Sequence, residues 1–198
     1  MFKIISYYTP NYKDVAEKYL LPSVKRLNLS YYIPEISSKG DWVANTDYKP
    51  FFILDCLLQH KEDLVWIDCD ATINIFPDLF NNIPKQFDIA IHFLEWRLHY
   101  SWHKDSNVKE LASGTIFFRN NEYSKIICQK WIDNSKHIKP DQKALEQTIK
   151  ETNVSYYNLP REYCYITHHP NGQTSYVLIE NPTISHHQVS REKRYENG

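Results

Sequence analysis

The run Leu64-Val65-Trp66-Ile67, closed by Asp68-Cys69-Asp70, constrains this chain more than any other feature. A continuous apolar run of that length has the pattern of a strand covered on both faces. Such a strand needs helices packed above and below its sheet. The flanking sequence supplies them. Residues 2–8 read as a strand, followed by a turn at Thr9-Pro10-Asn11. Residues 14–27 carry Val15, Tyr19, Leu20, Val24 and Leu27 at helical spacing, with Pro22 interrupting or kinking the helix. A second strand is expected over 29–36. Asp47 is expected to cap a helix over 48–59, with Pro50 in its first turn and Phe51, Leu54, Leu57 and Leu58 on its apolar stripe. Strands are expected over 87–93 and 114–118, then a helix over 121–136 with Ile126, Ile127, Trp131 and Ile132 facing inward. A helix over 140–150 and strands near 154–158 and 176–179 complete the pattern. Alternating strands and helices predict a single α/β domain with a mostly parallel central sheet flanked by helices.

Composition narrows the function classes. The 198 residues carry a formal net charge of −1, so no global basic field exists to hold nucleic acid or an anionic membrane. Any grip on a phosphate must be local. There are only four glycines, and one is the last residue. Glycine-rich phosphate loops of the G-x-G-x-x-G or Walker kind are excluded, and dinucleotide-binding dehydrogenases and P-loop NTPases with them. Cys56, Cys69, Cys128 and Cys164 form no C-x-x-C pair and read as reduced thiols. The start, Met1-Phe-Lys-Ile-Ile-Ser, lacks the pattern of a signal peptide, and no stretch reaches the roughly 18 apolar residues of a membrane span. A cytoplasmic location is the expectation.

The carboxylate pair is the centre of the functional argument. Side chains alternate along extended backbone, so Asp68 and Asp70 are expected on one side, with Cys69 pointing away. Two hard oxygen ligands at a strand's carboxyl end suit Mg²⁺ or Mn²⁺. The bland alternative is an Asp-rich turn, since an isolated D-x-D is frequent by chance. Here the pair follows four apolar residues, with no lysine nearby in sequence.

Two families use this device. Asp68-Cys-Asp70-Ala-Thr72 matches the D-x-D-x-T of haloacid-dehalogenase-like phosphatases, where Asp68 would be the phosphoryl nucleophile. That family opens with the motif in its first strand and later needs a lysine and an acidic pair. This chain places the motif more than 60 residues in, with no D-D or G-D-x-x-x-D after it.

The second family fits nearly the whole chain. Ile4-Ile-Ser-Tyr7-Tyr8-Thr9 resembles an opening nucleotide loop. Trp42 with Lys49-Pro50-Phe51-Phe52 resembles a W…K-P helix start. Ala112-Ser113-Gly114-Thr115 resembles the S-G strand beside a donor sugar. Pro140-Asp141-Gln142 resembles a D-Q helix start. Ser185-His186-His187-Gln188-Val-Ser190-Arg191 resembles an H-H-Q-x-S-R ending. Pieces and order are similar to the GT-A glycosyltransferases, small bacterial and viral members with kinship to glycogenin-like retaining enzymes.

The resemblance implies a nucleotide-binding half over 1–73, a donor-sugar and acceptor half over 74–181, and a tail over 182–198 closing on the metal. It implies Mn²⁺ or Mg²⁺ on Asp68, Asp70 and one of His186 and His187. It assigns Tyr7, Tyr8, Thr9, Lys49, Asp68, Ser113, Gly114 and Arg191 to a nucleotide-sugar donor, UDP-linked by preference. It puts Asp141 and Gln142 at the reaction centre, probing either a retaining or an inverting route, with retention favoured. Trp96, Arg97, Tyr100 and Trp102 form the expected acceptor side, facing a glycan, a protein or, less favoured, nucleic acid. A non-catalytic sugar-nucleotide or carbohydrate-binding module is the remaining alternative.

Overall fold

The run at 64–67 lies in a strand, Asp63–Ile67, and all four of its residues are buried. The computed structural model describes residues 1–167 and 175–190. In chain order its elements are β1 (Phe2–Ile5), α1 (Lys13–Lys18), α2 (Leu20–Arg26), β2 (Tyr31–Tyr32), α3 (Trp42–Asp47), α4 (Lys49–Gln59), β3 (Asp63–Ile67), β4 (Ala71–Ile73), β5 (Ile89–Glu95), α5 (Trp96–His99), β6 (Lys109–Phe118), α6 (Glu122–Ser135), α7 (Asp141–Thr152), β7 (Tyr156–Asn158), β8 (Tyr165–Ile166) and β9 (Ile184–His186).

The main sheet has the order β2-β1-β3-β6-β5-β7. β3 runs parallel to β1 and antiparallel to β6, and β5 runs parallel to β7. Only β6 opposes the rest, so the sheet is mostly parallel. Alternate residues of β3 serve two cores. Leu64 and Trp66 pack with residues of α4, α6 and α7, while Val65 and Ile67 pack with α2, β4 and Phe80. A second, three-stranded sheet, β4-β9-β8, sits beside the carboxyl end of β3.

Several local expectations are corrected. Pro22 does not break a helix: the break falls at Tyr19, and Pro22 sits in the first turn of α2, where a missing N–H costs nothing. Asp47 ends α3 instead of capping α4; Asp41 caps α3 by accepting from the Ala44 N–H at 2.8 Å. The stripe chosen on α4 mixes two faces. Phe51 and Leu58, seven residues apart, point outward, and Phe52, Ile53, Cys56 and Leu57 point inward. Ile126 is also exposed on α6. The strand expected over 29–36 shrinks to β2 plus a bridge from Tyr8 to Glu35. Residues 176–179 form no strand; Tyr176 and Val177 donate to the carbonyls of His99 and Leu98 instead. The strand lies later, at β9, and Thr183 to His186 are buried. This part of the tail is built into the fold. The four cysteines are free thiols. No helix among the described residues is long and apolar enough to cross a membrane.

Candidate functional site

β3 ends at Ile67 and the chain turns at once. The Ala71 N–H donates to the Asp68 carbonyl at 3.0 Å, closing a β-turn that leads into β4. Asp68 and Asp70 therefore converge through a turn, and not by alternation along extended backbone. β9 locks the turn from the side, with Ala71 opposite His186. The His187 N–H donates to the Asp70 carbonyl at 3.1 Å, and the Val189 N–H donates to Asp70 Oδ2 at 2.9 Å. One ligand atom each of Asp68, Asp70 and His186 then lies within 4.8 Å of the others.

Each member is held in place. Asp68 Oδ1 accepts from Trp66 Nε1 at 2.8 Å and lies 3.2 Å from Lys49 Nζ. His186 Nε2 meets the Thr115 hydroxyl at 2.9 Å. Burial pushes the His186 imidazole down to about 4, so it is neutral at pH 7. Burial first, and the neighbouring Asp68 carboxylate second, push Asp70 up from the usual carboxylate range. A cation shared by the pair relieves that repulsion. Two carboxylates and a neutral imidazole are a donor set that fits Mn²⁺, and Mg²⁺ less well.

Gly114 makes room for this corner. A Cβ there would stand 2.8 Å from His186 Cε1, 3.0 Å from His186 Nδ1 and 3.3 Å from Asp68 Oδ2. The close approach coincides with a bulge: the β5–β6 register shifts between Ala90 and His92. His187 points elsewhere. Its ring stacks on Tyr19 at 4.2 Å, and its nitrogens meet the Thr72 and Thr167 hydroxyls at 2.9 and 3.3 Å.

A buried charge knot adjoins the corner. Lys49, the first residue of α4, is 4% exposed. Its Nζ lies 2.9 Å from Asp141 Oδ2 and 3.2 Å from Asp68 Oδ1, and donates to the Ser113 carbonyl at 3.2 Å. Burial opposes its charge, but Asp141 and Asp68 outweigh burial and hold the ammonium above its ordinary value. Lys49 is thus paired with protein carboxylates, where the resemblance implies a donor contact. Asp141 is buried, and its Oδ2 also accepts from the Ser113 hydroxyl at 3.2 Å. Pro140 occupies the cap position of α7 and no side chain caps it, so Asp141 is not an N-cap.

These groups face one cavity of about 900 Å³, on which Tyr8, Thr9, Asp70, Gly114, Gln142 and His186 all open. Tyr7 also reaches it, yet its ring is packed against Phe52, Trp66 and Tyr48 and its hydroxyl donates to the Asn45 carbonyl at 2.6 Å. Burial, then Asp141 and Asp68, push that phenol well up and keep it protonated. Tyr7 is core, so its ring is not a free stacking platform. On the far side, Gln142 Nε2 donates to Glu110 Oε1 at 2.7 Å, and Trp96 Nε1 donates to Glu110 Oε2 at 3.1 Å. Of the expected acceptor residues, Tyr100 lines the cavity, Arg97 pairs with Glu95 at 2.8 Å, and Trp102 is 54% exposed. Arg191 lies outside the described residues. Sequence reasoning missed Trp66, Glu110 and Thr115. Thr115 adjoins the Ser113-Gly114 motif and was within reach; nothing in the sequence marks Glu110.

No known family profile matches the chain, and no curated protein matches it in sequence. Solved structures match in shape. A glycosyltransferase involved in the glycosylation of the major capsid of PBCV-1 superposes at TM-score 0.65 and 14% identity, over 100% of this chain and 99% of that one. The WbbM bifunctional glycosyltransferase gives TM-score 0.62 and 12% identity over 94% of this chain and 45% of that one. GlyE of Streptococcus pneumoniae gives 0.59 and 14% over 99% of this chain and 60% of that one. The chain thus spans about half of the two longer proteins and nearly all of the first. Its fold is the GT-A glycosyltransferase fold. The haloacid-dehalogenase-like alternative needs the motif in its opening strand, whereas here it follows β3, between β1 and β6.

Proposed function

We propose that the chain is a metal-dependent glycosyltransferase that moves a sugar from a nucleotide-diphosphate donor, UDP-linked by preference, to a hydroxylated acceptor on a glycan or protein. The observation that carries this reading is the meeting of Asp68, Asp70 and His186 on a large open cavity, in a fold shared with glycosyltransferases. Asp68, Asp70 and His186 would hold the divalent ion. His186 would ligate through Nδ1, leaving its Nε2–H to donate to the Thr115 hydroxyl. Asp68 Oδ1 is occupied by Trp66 and Lys49, which leaves Oδ2 for the ion or the ribose. When bound, the ion offsets the negative charge that grows on the departing diphosphate.

The chain's own residues do the rest. Tyr8, Thr9, Ser113 and Gly114 line the cavity and would meet the donor there. Lys49 would fix Asp141 and Asp68 by pairing with both. An inverting route needs a carboxylate free to take the acceptor's proton. Asp141 is committed to Lys49 and Ser113, and both oxygens of Glu110 accept hydrogen bonds, which supports retention.

The test is purified protein with Mn²⁺ and a panel of UDP-, GDP- and CMP-sugars, read by nucleotide release and calorimetry. Mn²⁺-dependent release from one donor, lost in Asp70→Ala together with nucleotide binding, is the expected result. Sugar binding that ignores Mn²⁺ would instead favour a non-catalytic module. Unchanged Mn²⁺-dependent binding in Asp70→Ala would sink the site.

A further inference from the structure

Glu110 and Gln142 come from different elements, β6 and α7, and meet at the cavity wall. Their contact is directional. A carboxylate has only acceptors, so Gln142 must offer its amide nitrogen to Glu110 Oε1, at 2.7 Å. The chemistry of the two groups alone fixes the amide orientation. It turns the Gln142 carbonyl oxygen away from Glu110. The indole of Trp96 is a donor only, and it holds Glu110 Oε2 at 3.1 Å, which fixes the carboxylate in turn.

The neighbouring carboxylates have other duties. Asp141 and Asp68 pair with Lys49, Asp70 accepts from the Val189 N–H, and Asp41 caps α3. Glu110 is held by an amide and an indole, both neutral.

We propose that Glu110 is a positioning residue that sets the orientation of the Gln142 amide and presents its carbonyl oxygen to the reacting carbon of the donor sugar. This rests on the proposed glycosyltransferase function and on the reaction-centre role that the family resemblance implies for Gln142, which lines the cavity. Glycosyl transfer builds positive charge on that carbon as the bond to the diphosphate breaks. An amide carbonyl carries the negative end of its dipole at oxygen and stabilises that charge. A flipped amide would present N–H donors there, with the same shape and the opposite sign. Glu110 prevents the flip, and Trp96 keeps Glu110 in register.

The isosteric change Glu110→Gln removes the device while filling the same space, since a glutamine accepts either orientation of its partner. The kcat of Mn²⁺-dependent donor hydrolysis is expected to fall about tenfold to a hundredfold. Donor KM and Mn²⁺-dependent nucleotide affinity should stay within about twofold, the pattern of an interaction made in the transition state. In a Gln142→Ala background, Glu110→Gln should have no further effect. Trp96→Phe, which keeps the ring and drops the N–H, should lower kcat in the same direction by a smaller factor. The Gln142 side-chain amide signals in a ¹H–¹⁵N spectrum should move in Glu110→Gln with the remaining spectrum intact. Wild-type kcat in Glu110→Gln, or losses that multiply in the double variant, would overturn the proposal while leaving the glycosyltransferase reading standing. A wild-type chain that neither hydrolyses any donor nor binds nucleotide with Mn²⁺ would overturn that reading, and this proposal with it.

Discussion

The two ends of the cavity are built by different means. At the Asp68–Asp70–His186 corner, main chain positions side chains: a β-turn brings Asp68 and Asp70 together, β9 delivers His186, and backbone N–H groups hold Asp70. At the other end, α5 is four residues long, and Trp96, Tyr100, Trp102 and His103 hold one another ring against ring. The corner is charged and held by main-chain hydrogen bonds, as the proposed ion and diphosphate would require. The rim is aromatic and partly exposed, suited to a partner recognised by its faces. Lys49 belongs to the charged end, through its pairs with Asp68 and Asp141.

The largest effect should come from breaking that end. Lys49→Met would leave Asp141 buried without its partner and strip one anchor from Asp68. Removing one member of a buried ion pair costs about 3–5 kcal/mol. Asp68 is 37% exposed and contributes less of this than Asp141, at 6%. Urea unfolding monitored by tryptophan fluorescence measures it. A loss below about 1 kcal/mol, the level of a surface pair, would show that Lys49 is not structural and return it to the ligand side.

That contrast also explains what the sequence could say. The strand at 64–67 was legible because both of its faces are buried, which forces an unbroken apolar run. The site order from Asp68 to Ser113-Gly114, Asp141 and His186 was legible through motif resemblance. The roles were less so. Lys49 reads as a donor ligand because nothing local shows that Asp68 and Asp141 converge on it from 19 and 92 residues away. Asp68 and Asp70 were aligned by the wrong geometry, since turn closure depends on the Asp68 carbonyl and not on side-chain pattern. β9 was missed because three residues, two of them polar, carry no periodic signal. Its pairing with β4 supplies the structure, and that is a long-range fact.

A smaller and more selective effect is expected from Gly114→Ala. The added methyl would collide with His186 at 2.8 Å and crowd Asp68. Small-to-large changes in packed sites cost about 1–3 kcal/mol. The sharper consequence is on the corner, because His186 must move to admit the methyl. Mn²⁺-dependent nucleotide binding should weaken at least about tenfold, while metal-free binding changes little. Calorimetry with UDP, with and without Mn²⁺, reads both. Equal weakening in the two conditions would mean that the glycine serves the nucleotide directly and that the corner is less rigid than its hydrogen bonds imply.

The smallest effect on the folded protein should come from the opposite end. Trp102 is 54% exposed and, among the described residues, its ring packs against those of Tyr100 and His103. Trp102→Ala should therefore change stability by no more than about 0.5 kcal/mol, as surface changes away from the core do. Donor hydrolysis should also be unchanged, since the described ring partners of Trp102 are Tyr100 and His103 and not Asp68, Asp70 or His186. Transfer should not be. With p-nitrophenyl glycosides as acceptors, the acceptor KM is expected to rise several-fold, about 1 kcal/mol of lost stacking, with the donor KM constant. If hydrolysis falls as well, the two ends are coupled, and the natural link is the Trp96–Glu110–Gln142 chain that joins the aromatic rim to α7. If neither rate moves, the rim around Trp102 packs only on itself, and the acceptor enters past Tyr100, the member of this cluster that opens on the cavity.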